Sequence, residues 1–260
     1  MSVVLDEAVV LRVWEYSETS QTSALLTREH GLVRAIAKGS RRARAPFSGG
    51  LDALTLGEAG LIIKPSSELA TMTEWDLREV FRGARGSWGG HVVSVYAADV
   101  AGRVVHDREP HPRLFEALTR LLRGVLDGRG RVSAWAALEF QWAALVEAGY
   151  RPELERSVAT GEALGERSVY GFSSVRGGLT ADPGRGGGDG VWRVRGGTVR
   201  ALRAVAGWGG GEGSPHGSED VVRANLLLGR HLSVVLGREP AGFSSFGVVL
   251  GRVRGDAQSG

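Results

Sequence analysis

The sequence predicts an α+β protein in which a small antiparallel barrel precedes a helical body. Three observations carry that expectation. Five short alternating runs separated by turn signals fill about the first 75 residues, and apolar residues recur at helical spacing from about Asp76 onward. Glycine then crowds the segment between Gly177 and Gly213, with fourteen in thirty-seven residues.

The first run sets Val9, Leu11 and Val13 against Val10, Arg12 and Trp14, and the polar "SETSQ" turns the chain back. "TSALLTRE" is punctuated by "HG", and "LVRAIAKG" again alternates at period two. After a basic stretch come "LDALTLGEAGLIIKP" and "LATMTEWD", two more extended runs. Five strands in so short a span fit a closed OB-fold barrel, and a five-stranded sandwich fits nearly as well; the pattern alone does not separate them. Farther on, Leu114, Leu118, Leu121, Leu122 and Val125 form a helical stripe. "SAWAALEFQWAALVEAG" reads as a helix stopped at Gly149. The glycine-rich segment is expected to be mobile loop, because glycine forfeits both helix and strand stability. A last helix follows, capped by Ser218 with Glu219 and Asp220 in its first turn. The expected division is residues 1–80 as barrel and 81–250 as helical body. A loop-rich insertion lies at about 150–215, and residues 251–260 are a flexible tail.

The chain has 260 residues, 42% of them hydrophobic and 23% charged, enough for a substantial core. Net charge is +3 and the isoelectric point is about 9.7, with Lys38 and Lys64 the only lysines. A uniform arginine bias says little, whereas local clustering shapes the field. The absence of cysteine excludes disulfides, thiolate zinc sites and cysteine nucleophiles. The acidic start "MSVVLDEAVV" is unlike a signal peptide, and no run approaches a membrane span, so a cytoplasmic protein is expected. Neither a phosphate-binding P-loop nor an HExxH motif occurs. "HDREPH", His106 to His111, reads as a proline-marked bend before it reads as a metal site. In "GSPHGSED", Ser214, His216, Ser218 and Asp220 are too close in sequence for triad geometry, which is assembled from distant segments. Trp135 and Trp142, one heptad apart, read as core. No enzyme and no cofactor is expected.

One feature remains. Arg34, Lys38, Arg41, Arg42 and Arg44 place five cations in eleven residues, and the nearest acids are Glu29 and Asp52. A solvated turn is the bland account. Against it, Arg34 and Lys38 lie four positions apart and are expected on one sheet face. Gly39 to Gly50 is expected to be a flexible loop, and Trp14, Tyr16 and Phe47 supply aromatic groups nearby. Cations along a groove with sparse aromatic platforms suit single-stranded nucleic acid.

The opening segment and its core, "GLVRAIAKGSRR" from Gly31 to Arg42, resemble the N-terminal OB domain of the RecO family of bacterial recombination mediators. "EPHPRLFEALTRLLRGVL" and "LGRHLSVVLGREPAGFSSF" are similar to its helical segments. The resemblance implies a nucleoid-associated DNA repair protein that binds single- and double-stranded DNA and anneals complementary strands. It also implies work with RecR to load a RecA-type recombinase onto strands coated by single-strand-binding protein (SSB), whose acidic tail docks in the helical domain. Arg113, Arg120 and Arg123 are candidates for a second basic face, with a solvated helix face as the plainer account. Many relatives carry a four-cysteine zinc site; here Ser157, Thr160, Ala181 and Gly184 stand at those positions, so no zinc is expected. Two other functions stay open: an adaptor that binds only protein, and an RNA-binding OB protein.

Overall fold

A computed structural model describes residues 2–128, 130–183, 190–207 and 218–251. Strands β1 (Val4–Glu15), β2 (Gln21–Thr27), β3 (Gly31–Ala37), β4 (Thr55–Ile62) and β5 (Leu69–Val80) close into a barrel in the order β1-β2-β3-β5-β4. The pairs are antiparallel except β3 with β5, which run parallel. That order and single parallel seam are those of an OB barrel, and closure removes the sandwich alternative. Strand β5 continues four residues past Asp76, where the helical period was expected to begin.

The barrel is filled by Val10, Leu25, Val33, Ala35, Leu61, Met72 and Trp75. A bulge between Val10 and Arg12 interrupts the pairing of β1 with β2 and overturns the simple alternation expected there. Val9 and Leu11 pack outward against the helical core, while Val10 and, beyond the bulge, Val13 pack with the barrel interior. One inserted residue therefore turns Arg12 and Trp14 to the same outer side as Leu11. Gly31 holds φ +65° at the β2–β3 turn, and a Cβ there would sit 1.9 Å from the Glu109 carbonyl oxygen. Only glycine allows the connector after the second helix to press so closely on β3.

Helices α1 (Arg82–Gly86), α2 (Trp88–Val104), α3 (Pro112–Arg123), α4 (Ala134–Glu147), α5 (Gly196–Gly207), α6 (Ser218–Val235) and α7 (Phe243–Gly251) form the body. The Ser87 side chain caps α2 by accepting from Gly90 N–H, and Ser133 caps α4 through Ala136 N–H. The expected α3 stripe is buried in full: Leu114, Leu118, Leu121, Leu122 and Val125. Trp135 and Trp142 are core, and Gly149 takes φ +77° just beyond α4. A buried polar chain crosses the body. Tyr96 donates to Gln141 Oε1 (2.8 Å), Gln141 donates to Asn225 Oδ1 (2.7 Å), and Asn225 donates to the carbonyls of Ala134 and Val221. Burial pushes the Tyr96 hydroxyl pKa far up, so it stays a donor. Each group in this chain is satisfied, which ties α2, α4 and α6 into one arrangement.

The glycine-rich segment differs from expectation. It contains β7 (Gly178–Thr180), β8 (Val191–Arg195) and α5, and with β6 (Val169–Ser173) the two strands form a sheet ordered β7-β6-β8. Tyr170, Phe172 and Leu179 bury completely against the helical core, an apolar gain that offsets the glycine entropy. The expected Ser218 cap and the cluster of Ser214 and His216 lie outside the residues and side chains described, as does most of the expected tail.

Candidate nucleic-acid interface

The basic stretch leaves β3 at Ala37 and reaches β4 at Thr55 without regular structure. It is not the free loop expected. The buried Gln21 pins both of its ends: Gln21 Oε1 accepts from Ser40 Oγ (3.0 Å) and Leu51 N–H (2.9 Å), and Gln21 Nε2 donates to Leu51 O. Gly39 N–H donates to Ser20 Oγ, and Arg41 N–H donates to Thr19 O, so the stretch also rests on the β1–β2 turn. Its middle plugs the barrel. Phe47 is 3% exposed and packs with Leu51 and Trp75, while Trp75 N–H donates to Pro46 O. The expectation of Phe47 as a base-stacking platform is therefore corrected, because that ring closes the barrel core. An apolar ring flanked by charges was legible as aromatic, not as inward-facing.

The cations stay outside. Lys38, Arg41, Arg42 and Arg44 are exposed, and Arg34 is the one exposed residue of β3. Arg41 pairs with the exposed Glu15, a contact worth little in water. Among the described residues the other four have no carboxylate partner within ion-pair distance. Tyr16 (65% exposed) and Trp14 (45%) stand at the β1–β2 end over which the stretch folds. Arg34 and Lys38 do not form the expected pair on one sheet face, because β3 ends at Ala37 and Lys38 begins the turn.

Arg34 instead faces an open cleft of about 770 Å³ between the outer barrel wall and α2. Across the sheet, Arg12 pairs in register with Ala24, Ala24 with Arg34, and Arg34 with Leu69. Two arginines thus flank a methyl group, roughly 10 Å apart at two strand spacings. The Arg12 guanidinium lies over the Trp14 ring at 5.6 Å. Arg85, His91, Arg103 and Arg238 line the opposite side. Arg103 is held by Asp99 (2.7 Å) and Arg85 by Asp52 (3.8 Å). The sequence reading named Arg34 and Trp14 here but missed Arg12, Arg85, His91, Arg103 and Arg238. Arg12 and Trp14 at i, i+2 on a strand were a usable signal; Arg85, Arg103 and Arg238 come from separate helices and loops and carried none.

On α3 the three arginines part. Arg113 and Arg120 line a second groove of about 590 Å³, floored by Ala117, Trp142, Val146 and Val205. Arg123 points toward the barrel and donates through Nε and Nη2 to Glu79 Oε2 (2.9 and 2.8 Å), which raises its pKa further. At 100° per residue, Arg123 lies about 60° around the helix from Arg120, far enough to change neighbours. One shared face is therefore corrected to a pair plus a tether.

The four positions compared with zinc ligands in the sequence analysis do not suit the metal. Ser157 is buried, and its Oγ already accepts from Ala159 N–H and Thr160 N–H (both 3.3 Å), as a turn-forming serine does. Thr160 bonds Glu162, Ala181 packs on the helical core, and Gly184 lies outside the described residues. Hydroxyl and methyl groups are not zinc donors, and among the described residues no cluster of three His, Cys, Asp or Glu could hold a metal. Arg203 of α5 links the segment instead. It donates to Leu154 O through Nη2 (2.9 Å) and Nε (3.3 Å), pairs with Glu155 and Glu166, and lies over the Tyr170 ring at 5.9 Å.

A closed OB barrel with an arginine-rich outer wall, joined to a helical body, defines the class of this protein. The N-terminal model of the Recombination protein O family matches residues 1–81, and its C-terminal model matches residues 92–240. The chain belongs to that family. It is 38% identical over 176 residues to the DNA repair protein RecO of Rhodopirellula baltica, covering 67% of this chain and 64% of the relative. The protein of the same name from an Anaeromyxobacter species is 33% identical over 175 residues, covering 67% and 68%. That of Bacillus pumilus is 26% identical over 164 residues, covering 63% and 62%. The chain thus aligns with a little under two thirds of the length of the first of these relatives.

Proposed function

We propose that this protein is a non-catalytic mediator of recombinational DNA repair that binds single- and double-stranded DNA and anneals complementary strands. The observation that carries the reading is the exposed, carboxylate-poor row Lys38, Arg42 and Arg44 with Arg41, fixed on the barrel end by Gln21. Two polynucleotides repel each other through their phosphates, and cations held on a rigid rim offset that repulsion where the strands must meet. Arginine adds forked contacts to phosphate and stacking on bases. Family membership supports RecR as a partner and loading of a RecA-type recombinase on SSB-coated strands as the outcome, within the cytoplasm and nucleoid.

The groove beside α3 is suited to the acidic tail of SSB. Its apolar floor would take terminal apolar side chains, and Arg113, Arg120 and Arg151 rim it. The neighbouring carboxylates Glu116 and Glu147 face Arg28 and His111. This role for Arg113 and Arg120 follows from the same family reading.

One comparison tests both surfaces. The variant Arg41→Ala/Arg42→Ala/Arg44→Ala should anneal complementary oligonucleotides about tenfold more slowly while still binding an acidic tail peptide. Arg113→Ala/Arg120→Ala should do the reverse. Unchanged annealing in the triple variant moves the active surface elsewhere. A wild type with no saturable, salt-sensitive DNA signal is an adaptor, and equal competition by matched RNA favours the RNA-binding alternative.

A further inference from the structure

We infer that strand β8 (Val191–Arg195) is a docking edge for an extended partner segment in which acidic and apolar residues alternate. The inference does not depend on the DNA-binding reading, and the strand shares no residue with the groove beside α3. A strand carries main-chain donors and acceptors along both sides, and at the edge of a sheet one side is left unanswered. The two outer edges of the sheet β7-β6-β8 differ in this respect. The β7 edge is closed. Glu153 bridges to Gly178, Leu179 N–H donates to Glu153 O (2.9 Å), and Val158 N–H donates to Leu179 O (2.8 Å). The β8 edge is open. Among the described residues β6 is the one strand paired with it, and no loop bonds the main chain of Val191–Arg195.

The side chains of β8 specify the occupant. Arg193 and Arg195, two residues apart, are exposed on one face, and neither has a carboxylate partner among the described residues. On the other face Val194 is buried, and Trp192 is half-buried with its ring stacked on Phe172 at 6.1 Å. An added strand sets every second side chain beside the arginines and those between beside Trp192. Acids in the first set and apolar groups in the second complement both faces, while main-chain bonds along the edge supply the common affinity. A second copy of this chain fits badly. Full antiparallel overlap of two β8 strands sets Arg193 against its own copy, and like charges directly opposite are destabilising. DNA fits badly too, since its backbone has phosphate acceptors but no donors for the edge carbonyls.

The test titrates the full chain with a fluorescein-labelled peptide of about eight residues alternating Glu and Val, and with a matched Lys-Val peptide. The Glu-Val peptide should bind saturably and protect the β8 amides from hydrogen exchange. Methylating its backbone nitrogens, which removes the edge donors, should weaken it about tenfold or more. Arg193→Glu/Arg195→Glu should weaken the Glu-Val peptide about tenfold and bind the Lys-Val peptide in preference, with an unchanged urea midpoint. Arg193→Gln/Arg195→Gln should lose affinity to an intermediate degree, and Arg113→Ala/Arg120→Ala should lose none. The docking edge is overturned if the Glu-Val peptide does not bind, if methylation is without effect, or if the groove variant rather than the β8 variants abolishes binding. Protection of β8 by a labelled oligothymidine in place of the peptide would overturn it in favour of nucleic acid. Annealing by the wild type is measured separately, so the DNA reading can stand or fall without it.

Discussion

Arg203 shows at the level of one side chain how the segment between α4 and β6 is tied to α5. Its guanidinium bonds the Leu154 carbonyl and pairs with two glutamates, while Ser157 Oγ accepts from Ala159 N–H and Thr160 N–H in the neighbouring turn. Arg203→Met removes these bonds and should lower stability by about 2 kcal/mol, since bonds to charged groups contribute more than neutral ones. A metal chelator should leave the wild-type denaturation midpoint in urea unchanged. A chelator-induced drop, or an inert Arg203→Met, would contradict the account. That Ser157 is no zinc donor was legible in the sequence; its Oγ as acceptor for two main-chain N–H groups was not, because that depends on turn geometry. Phe47 teaches the same lesson. Its identity could be read in the sequence, but which way the ring faces was set by Gln21 and Trp75, distant in sequence.

At the level of elements, α6 carries a buried histidine onto the β6-β7-β8 sheet. His231 is 1% exposed, meets the Phe172 ring edge-on at 5.4 Å, and neither ring nitrogen makes a full hydrogen bond. Burial lowers its pKa, and the nearby Tyr150 main chain opposes that only in part. The unfolded chain therefore takes up this proton at a higher pH than the folded one. Stability from this group is full above the ordinary histidine pKa of about 6.5 and falls as pH drops below it, by up to about 1.4 kcal/mol per pH unit. The difference in unfolding free energy between wild type and His231→Leu should be constant above that pH and shift against the wild type below it. Parallel pH profiles for the two proteins would refute the assignment. The helices that pack here were plain in the sequence where long apolar stripes repeat, as in α3 and α4. Strands β7 and β8 were hidden because three to five residues between glycines give too little periodicity, and burial of Phe172 and Leu179 decides their fate. The β1 bulge was equally hidden: a one-residue slip has no compositional mark, yet it sets which face Arg12 and Trp14 take.

For the whole molecule, on the DNA-binding reading proposed above, the barrel and helices would divide the labour of a polyanion-binding surface. The β1–β2 turn, the pinned basic stretch and the outer wall of β1 to β3 place Lys38, Arg41, Arg42 and Arg44 beside Tyr16 and Trp14, and α2 closes the far side of the cleft. The linear order of the sequence held the basic cluster and the barrel that carries it. It could not hold the cleft, whose cations come from β1, β3, α1, α2 and the segment after α6. The described residues include no helix long and apolar enough to cross a membrane. The central claim, that cations fixed on the barrel neutralise DNA phosphates, is tested most directly by the salt dependence of single-strand affinity. With Arg34, Lys38, Arg41, Arg42 and Arg44 engaged, the log–log slope should be about −3.5 or steeper, and Arg41→Ala/Arg42→Ala/Arg44→Ala should flatten it by about 2. A wild-type slope near zero, or a triple variant with an unchanged slope, would contradict it.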